Sequence, residues 1–186
     1  MTHADITPIY KVGAIILHPV AWGMDVLVVR PQPKHAGEVP PFVMPRGSRQ
    51  YRDAQGEWQD ARDAATARIH AATFEPLETT LIREIEEEAG VPPSVLRKAS
   101  VYELGVRDFA SRSKGVYAIH WFVVILAHDS LPRLHAVPSD AMAVRWENLR
   151  EVEMMAAHGE FSAGYVPVIR EAIQAMENGI LARVTL

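Results

Sequence analysis

The chain has no cysteine among its 186 residues. Disulfides, thiolate metal sites and cysteine nucleophiles are therefore excluded, and a reducing cytoplasm suits the composition. No apolar run approaches the roughly 20 residues needed to span a bilayer. The opening stretch, Met1-Thr-His-Ala-Asp-Ile-Thr-Pro8, lacks the charged-then-apolar order of a signal segment. Positive charge is not in excess either. A net charge of −4 argues against general affinity for nucleic acid or acidic membranes. Internal repeats, low-complexity tracts and a second-domain linker are missing, as are His-Glu-x-x-His, Gly-x-Ser-x-Gly and Walker-type glycine patterns. What remains is an ordinary globular composition, 48% hydrophobic and 23% charged. It predicts one cytoplasmic domain over residues 1–186, with neither a nucleic-acid nor a membrane partner.

The β-branched runs Val12–Leu17 and Val26–Val29, separated by turn-prone residues 19–25, predict two paired strands. Phe42-Val43-Met44 predicts a third short strand, closed by Pro45-Arg46-Gly47. From 48 to 73 the chain turns polar and alanine-rich, and Trp58, Ala61, Ala65, Ile69 and Ala72 recur at helical spacing. Further strands are expected at 100–106, 116–127 and 143–146, and a last helix at 165–178 with Val168, Ile169, Ile173 and Met176 on its apolar side. Trp121 and Trp146 lie in strand-like runs and are expected in the core.

The stretch from Glu75 to Val91 carries the chemistry. Glu84, Glu87 and Glu88 stand at i, i+3 and i+4, so on a helix their carboxylates share one face. Like charges that close destabilise a helix, whereas a hard cation with a preference for oxygen would make them ligands. Leu81, Ile82, Ile85 and Ala89 form an apolar stripe beside that face, and Gly90 followed by Pro92-Pro93 stops the helix.

This stretch resembles the Nudix box, the signature of the Nudix hydrolase superfamily. The matching residues are Glu75, then Arg83-Glu84-Ile85, then Glu87-Glu88, then Gly90-Val91. Glu86 falls at the pattern's free position and reads as a solvated residue. The resemblance implies the Nudix fold, an α+β architecture in which a mixed β-sheet is sandwiched between helices (α/β/α). It further implies Mg²⁺- or Mn²⁺-dependent hydrolysis of a phosphoanhydride in a nucleoside diphosphate linked to another moiety: a dinucleoside polyphosphate, ADP-ribose, a nucleotide sugar or a (d)NTP. Glu84, Glu87 and Glu88 would hold the metal, with Arg83 orienting a glutamate by a salt bridge. A sensor module that binds a nucleotide metabolite without turnover is the alternative. An isoprenoid-type isomerase is a weaker one, because that branch draws on a cysteine.

The pattern departs from the family upstream. The expected glycine, six residues before Glu75, is Ile69. Gly47, in Met44-Pro45-Arg46-Gly47, is the substitute. It lies 28 residues before Glu75, which makes 48–73 an insertion with an excess of 22 residues. Long surface loops add little closure entropy, so a tolerated excursion is expected, with a lid or a homodimer contact as the functional alternatives. Arg46, Gly47 and Arg30 are the candidate substrate-binding residues, because arginines beside a metal site grip phosphates in bidentate fashion. A further acid, general base or ligand, would come from Glu103, Asp108, Asp129 or Asp140. The eight histidines are read as structural or solvated.

Overall fold

The computed structural model describes residues 10–21, 23–111, 115–126 and 141–186. Strands β1 (Lys11–Val20) and β2 (Gly23–Pro31) form the expected antiparallel pair, joined through Val20↔Gly23. A strand follows at β3 (Arg46–Ser48), not at Phe42-Val43-Met44. Those three residues make only isolated bridges, Val43 to Val29 and Phe42 to Phe161. The prediction placed the strand a few residues early because apolar content marks burial, whereas ladder pairing here falls on Arg46-Gly47-Ser48 against β1.

Between β3 and the acidic helix, the expected single helix is replaced by a hairpin and a shorter helix. Strands β4 (Gln50–Arg52) and β5 (Trp58–Asp60) pair antiparallel. Asp53 closes their turn by accepting from the main-chain N–H groups of Gln55 and Glu57. The helix α1 (Ala64–His70) starts later, where Asp63 accepts from the Thr66 amide. Trp58 and Ile69 are 44% and 77% exposed, so the apolar stripe drawn through them does not exist; Ala61 is buried.

Helix α2 (Leu77–Ala89) is the acidic helix. Its Leu, Glu, Arg and Ala content favours helix, and Glu78 in the first turn suits the helix dipole. Gly90, at φ 66°, ends it in the left-handed conformation, with its N–H returning to the Glu86 carbonyl. A short helix α3 (Pro93–Leu96) follows. Strands β6 (Ser100–Ser111), β7 (Gly115–Ile125) and β8 (Ala141–Asn148), helices α4 (Leu149–Ala157) and α5 (Val166–Glu177), and β9 (Ala182–Val184) complete the chain. The last strand and α3 were not anticipated.

The main sheet runs β8-β2-β1-β7-β6-β9, with β3 also on β1. The β1–β7 pair is parallel and the others antiparallel, so the sheet is mixed. Alternate residues of each strand serve opposite faces. Val12, Ala14, Ile16, Leu27 and Val29 pack with Leu81, Ile85 and Ala89 of α2. Ile15, Leu17, Val26, Val28 and Trp121 pack with Val152 and Met155 of α4 and Val168, Ile169 and Ala172 of α5. Burying Leu81 and Ile85 contributes about 1.5–3 kcal/mol each, which holds the carboxylate face of α2 against β3. The architecture is the α/β/α sandwich expected of the sequence. Among the described residues, no helix is long and apolar enough to cross a membrane.

Candidate active site

Arg83 is the centre of the site. Its Nη1 donates to Glu84 Oε1 at 2.8 Å and to Glu87 Oε2 at 3.1 Å. Its Nη2 donates to Glu75 Oε1 at 2.8 Å and to the Ser48 carbonyl at 2.9 Å. Glu75 lies two residues before the start of the helix and is only 4% exposed. The Glu87 contact follows from helix geometry, and the Ser48 contact from the arrival of β3. Glu75, Glu84 and Glu87 hold the Arg83 proton above the ordinary arginine range, although burial works against it. Glu88 turns the other way and accepts from the Arg46 main-chain N–H at 2.8 Å. One guanidinium thus serves three carboxylates while a fourth lies one turn on.

Glu84 is 9% exposed, and burial pushes its carboxyl up to about 7. The Arg83 contact pulls in the other direction without cancelling that rise; Glu87 and Asp60 add to it. Gly47 explains how the carboxylate is held. A Cβ at position 47 would lie 1.7 Å from Glu84 Cδ and Oε2, so no side chain fits while Glu84 keeps this place. The glycine singled out in place of the missing one is therefore the backbone surface against which Glu84 packs.

The other candidates separate by face. Gly47 pairs with Val12 and faces α2, whereas Arg46 pairs with Gly13 and faces the α4–α5 side. There the Arg46 guanidinium donates to Tyr117 Oη at 3.2 Å and lies 5.4 Å from the Tyr165 ring. Arg30 shares that side, 4.2 Å over the Phe42 ring, with a buried Nε that has no hydrogen-bond partner. Among the described residues neither guanidinium has a carboxylate partner. Glu103 and Asp108 are exposed on β6, outside the strands that α2 covers. Glu103 lies 2.8 Å from the buried His120, a proximity that histidine spacing did not reveal. Asp129 and Asp140 lie outside the described residues. Trp121 is fully buried and Trp146 partly so, both in the core as expected.

A hard divalent cation suits this donor set. The side chains offer only oxygen, and the buried Glu84 carboxylate keeps a raised proton affinity that a cation would relieve. The acids are nevertheless held apart: among the described residues, no three acidic or histidine side chains are gathered for a metal ion. Sequence reasoning missed Gln50, Asp60, Tyr117 and Tyr165. Each reaches the site through strand pairing or interlayer packing, which leaves no local signal in the sequence.

The profile of the NUDIX domain family matches residues 20–169. Comparison with curated proteins gives no match. Among solved structures, the chain is similar to the NUDIX domain of Shewanella oneidensis NrtR complexed with ADP ribose (TM-score 0.61, 16% identity, 95% of this chain and 93% of that one). It is similar to a C. elegans Ap4A hydrolase binary complex (TM-score 0.57, 13% identity, 92% and 98%). It is also similar to a NUDIX hydrolase from Listeria monocytogenes (TM-score 0.59, 13% identity, 94% and 99%). At these identities the likeness establishes a shared fold.

Proposed function

Because the chain belongs to the NUDIX domain family, we propose that it is a Mg²⁺- or Mn²⁺-dependent hydrolase that cleaves a phosphoanhydride in a nucleoside diphosphate linked to another moiety. The substrate classes are dinucleoside polyphosphates, ADP-ribose, nucleotide sugars and (d)NTPs, and the setting is the cytoplasm. The observation that carries this reading is the Glu84 carboxylate, buried against Gly47 and insufficiently balanced by Arg83.

Glu84, Glu87 and Glu88 would hold the cation. When bound, the cation supplies charge neutralisation for a diphosphate and a more acidic bound water. Arg83 keeps Glu84 and Glu87 oriented and ties them to Glu75. Gly47 admits Glu84 to its place, and the Arg46 amide fixes Glu88. The guanidiniums of Arg46 and Arg30, without a carboxylate partner among the described residues, would offer bidentate partners to phosphate oxygens on the α4–α5 side. Exclusion of nucleic acid as a partner rests on the net charge of −4.

A second reading, a non-catalytic module that binds a nucleotide metabolite, draws on the dispersed acids: Arg83 and the Arg46 amide already satisfy them. Incubation with a panel of the four substrate classes in Mg²⁺, with products identified, separates the two. Turnover is expected, lost on exhaustive chelation and lowered about 10²-fold or more in Glu87→Gln and Glu88→Gln. Binding without turnover supports the module, and full activity in both variants removes the assignment of the acids.

A further inference from the structure

The segment between β3 and α2 is bound into the acidic site on two sides. Gln50, on β4, donates its main-chain N–H to Glu75 Oε1 at 2.9 Å and accepts the Glu75 N–H on its carbonyl at 2.9 Å. Arg49 adds a 2.6 Å bond from its guanidinium to the Glu75 carbonyl. The returning strand β5 ends on Asp60, the register partner of Gln50. The Gln50 side-chain amide donates to Asp60 Oδ1 at 3.1 Å. A polar path therefore runs from Asp60 through Gln50, Glu75 and Arg83 to Glu84 and Glu87.

The hairpin is also fixed from behind. The Tyr51 ring stacks on His70 at 3.9 Å, the Tyr51 backbone bridges to Phe74, and buried Ala61 returns its N–H to the Arg49 carbonyl at 2.9 Å. Asp60 is exposed but is thus anchored beside the box, with Gln50 bridging it to Glu75. Among the described residues it has no cationic partner.

We propose that Asp60 is a positioning residue of the acidic site, held by Gln50 so that its charge offsets Arg83 and strengthens the hold of Glu84, Glu87 and Glu88 on a divalent cation. This rests on the reading of those glutamates as the cation site. In that case residues 48–73 are an insertion that contributes to the site, and not a tolerated surface excursion.

The test is Mn²⁺ binding to the metal-free full-length chain without substrate, followed by the spin-resonance signal of free Mn²⁺ at low ionic strength. Asp60→Asn keeps the oxygen that accepts from Gln50 and removes only the charge. Asp60 is exposed, so losing its screened charge near a divalent ion implies a fall in affinity of about three- to tenfold at low ionic strength. Asp60→Glu should restore much of it, and Gln50→Ala, which frees Asp60, should show a smaller loss. Glu57→Gln makes the same change in net charge toward the hairpin tip and should bind Mn²⁺ like the parent protein. Unchanged affinity in Asp60→Asn, or an equal loss in Glu57→Gln, overturns the inference. If Asp60→Asn does not fold by circular dichroism, Asp60→Ser carries the same test. A parent protein that binds no Mn²⁺, or a Glu87→Gln variant that binds it normally, brings down the cation site and this inference together. Binding lost in Glu87→Gln but intact in Asp60→Asn removes Asp60 alone.

Discussion

Along α2, Glu87 meets Arg83 and lies beside Glu84 because a helix brings residues three and four apart onto one face, and the long Arg83 side chain also reaches its neighbour Glu84. In the segment before it, Gly47 reaches Glu84, and Gln50 reaches Glu75 and Asp60, only because β3 pairs with β1 and β4 with β5. The helix supplies charged side chains. The preceding segment supplies mainly backbone: a glycine surface for Glu84, the Ser48 carbonyl for Arg83, and two Gln50 main-chain bonds for Glu75. Chemistry written in side chains at fixed local spacing survives in a sequence as a pattern. Chemistry written in backbone contacts at long range does not.

The sharpest way to break the contact between the two regions is Gly47→Ala. The new methyl would occupy the place of the Glu84 carboxylate, and Glu84, being the more flexible partner, would swing away from Arg83 and from the cation. Affinity for Mn²⁺ is expected to fall tenfold or more, by analogy with the loss of groups that orient metal ligands. Denaturant unfolding should show a stability loss of about 1–3 kcal/mol from overpacking. A variant with parental affinity would mean that Gly47 only fills space and that the helix builds its site alone.

That comparison also explains what was legible. The acidic helix, its apolar stripe, its glycine stop and the sandwich fold all follow from periodicity and the box pattern. Gly47 was found because the pattern demanded a glycine and this one stood in a strand-like entry; its contact with Glu84 was not visible. Arg46 was chosen by proximity in sequence. Strand alternation sends its guanidinium to Tyr117 on the far face while its amide serves Glu88. Nothing local distinguishes those two destinations.

A second perturbation acts on the helix alone. Burial raises the Glu84 carboxyl from its usual value near 4.5 to about 7 in the metal-free protein. A carboxyl raised on folding favours the protonated native state. Its contribution is therefore fully present below about pH 4.5 and is lost as pH rises through 7. The shift corresponds to about 3 kcal/mol. Chelated parent protein should accordingly lose more stability between pH 5 and pH 8 than Glu84→Gln, as measured by urea unfolding at both values. Equal losses would show that Glu84 is already compensated, which removes the main reason for a cation.

The smallest expected effect tests the hairpin. Were Trp58 fully buried in a core, its truncation would cost about 3–5 kcal/mol. In the hairpin the residue is 44% exposed, with the Arg52 guanidinium 4.9 Å from the ring centroid. A cation over a solvated ring contributes about 0.5–1 kcal/mol. Trp58→Ser should therefore lower unfolding stability by no more than about 1 kcal/mol and leave Mn²⁺ affinity unchanged, since Trp58 pairs with Arg52 and not with Gln50. A loss above about 2 kcal/mol would place Trp58 in a core. It would also reverse the contrast, because the segment would then hold the site through side-chain packing rather than through the backbone of β3 and β4.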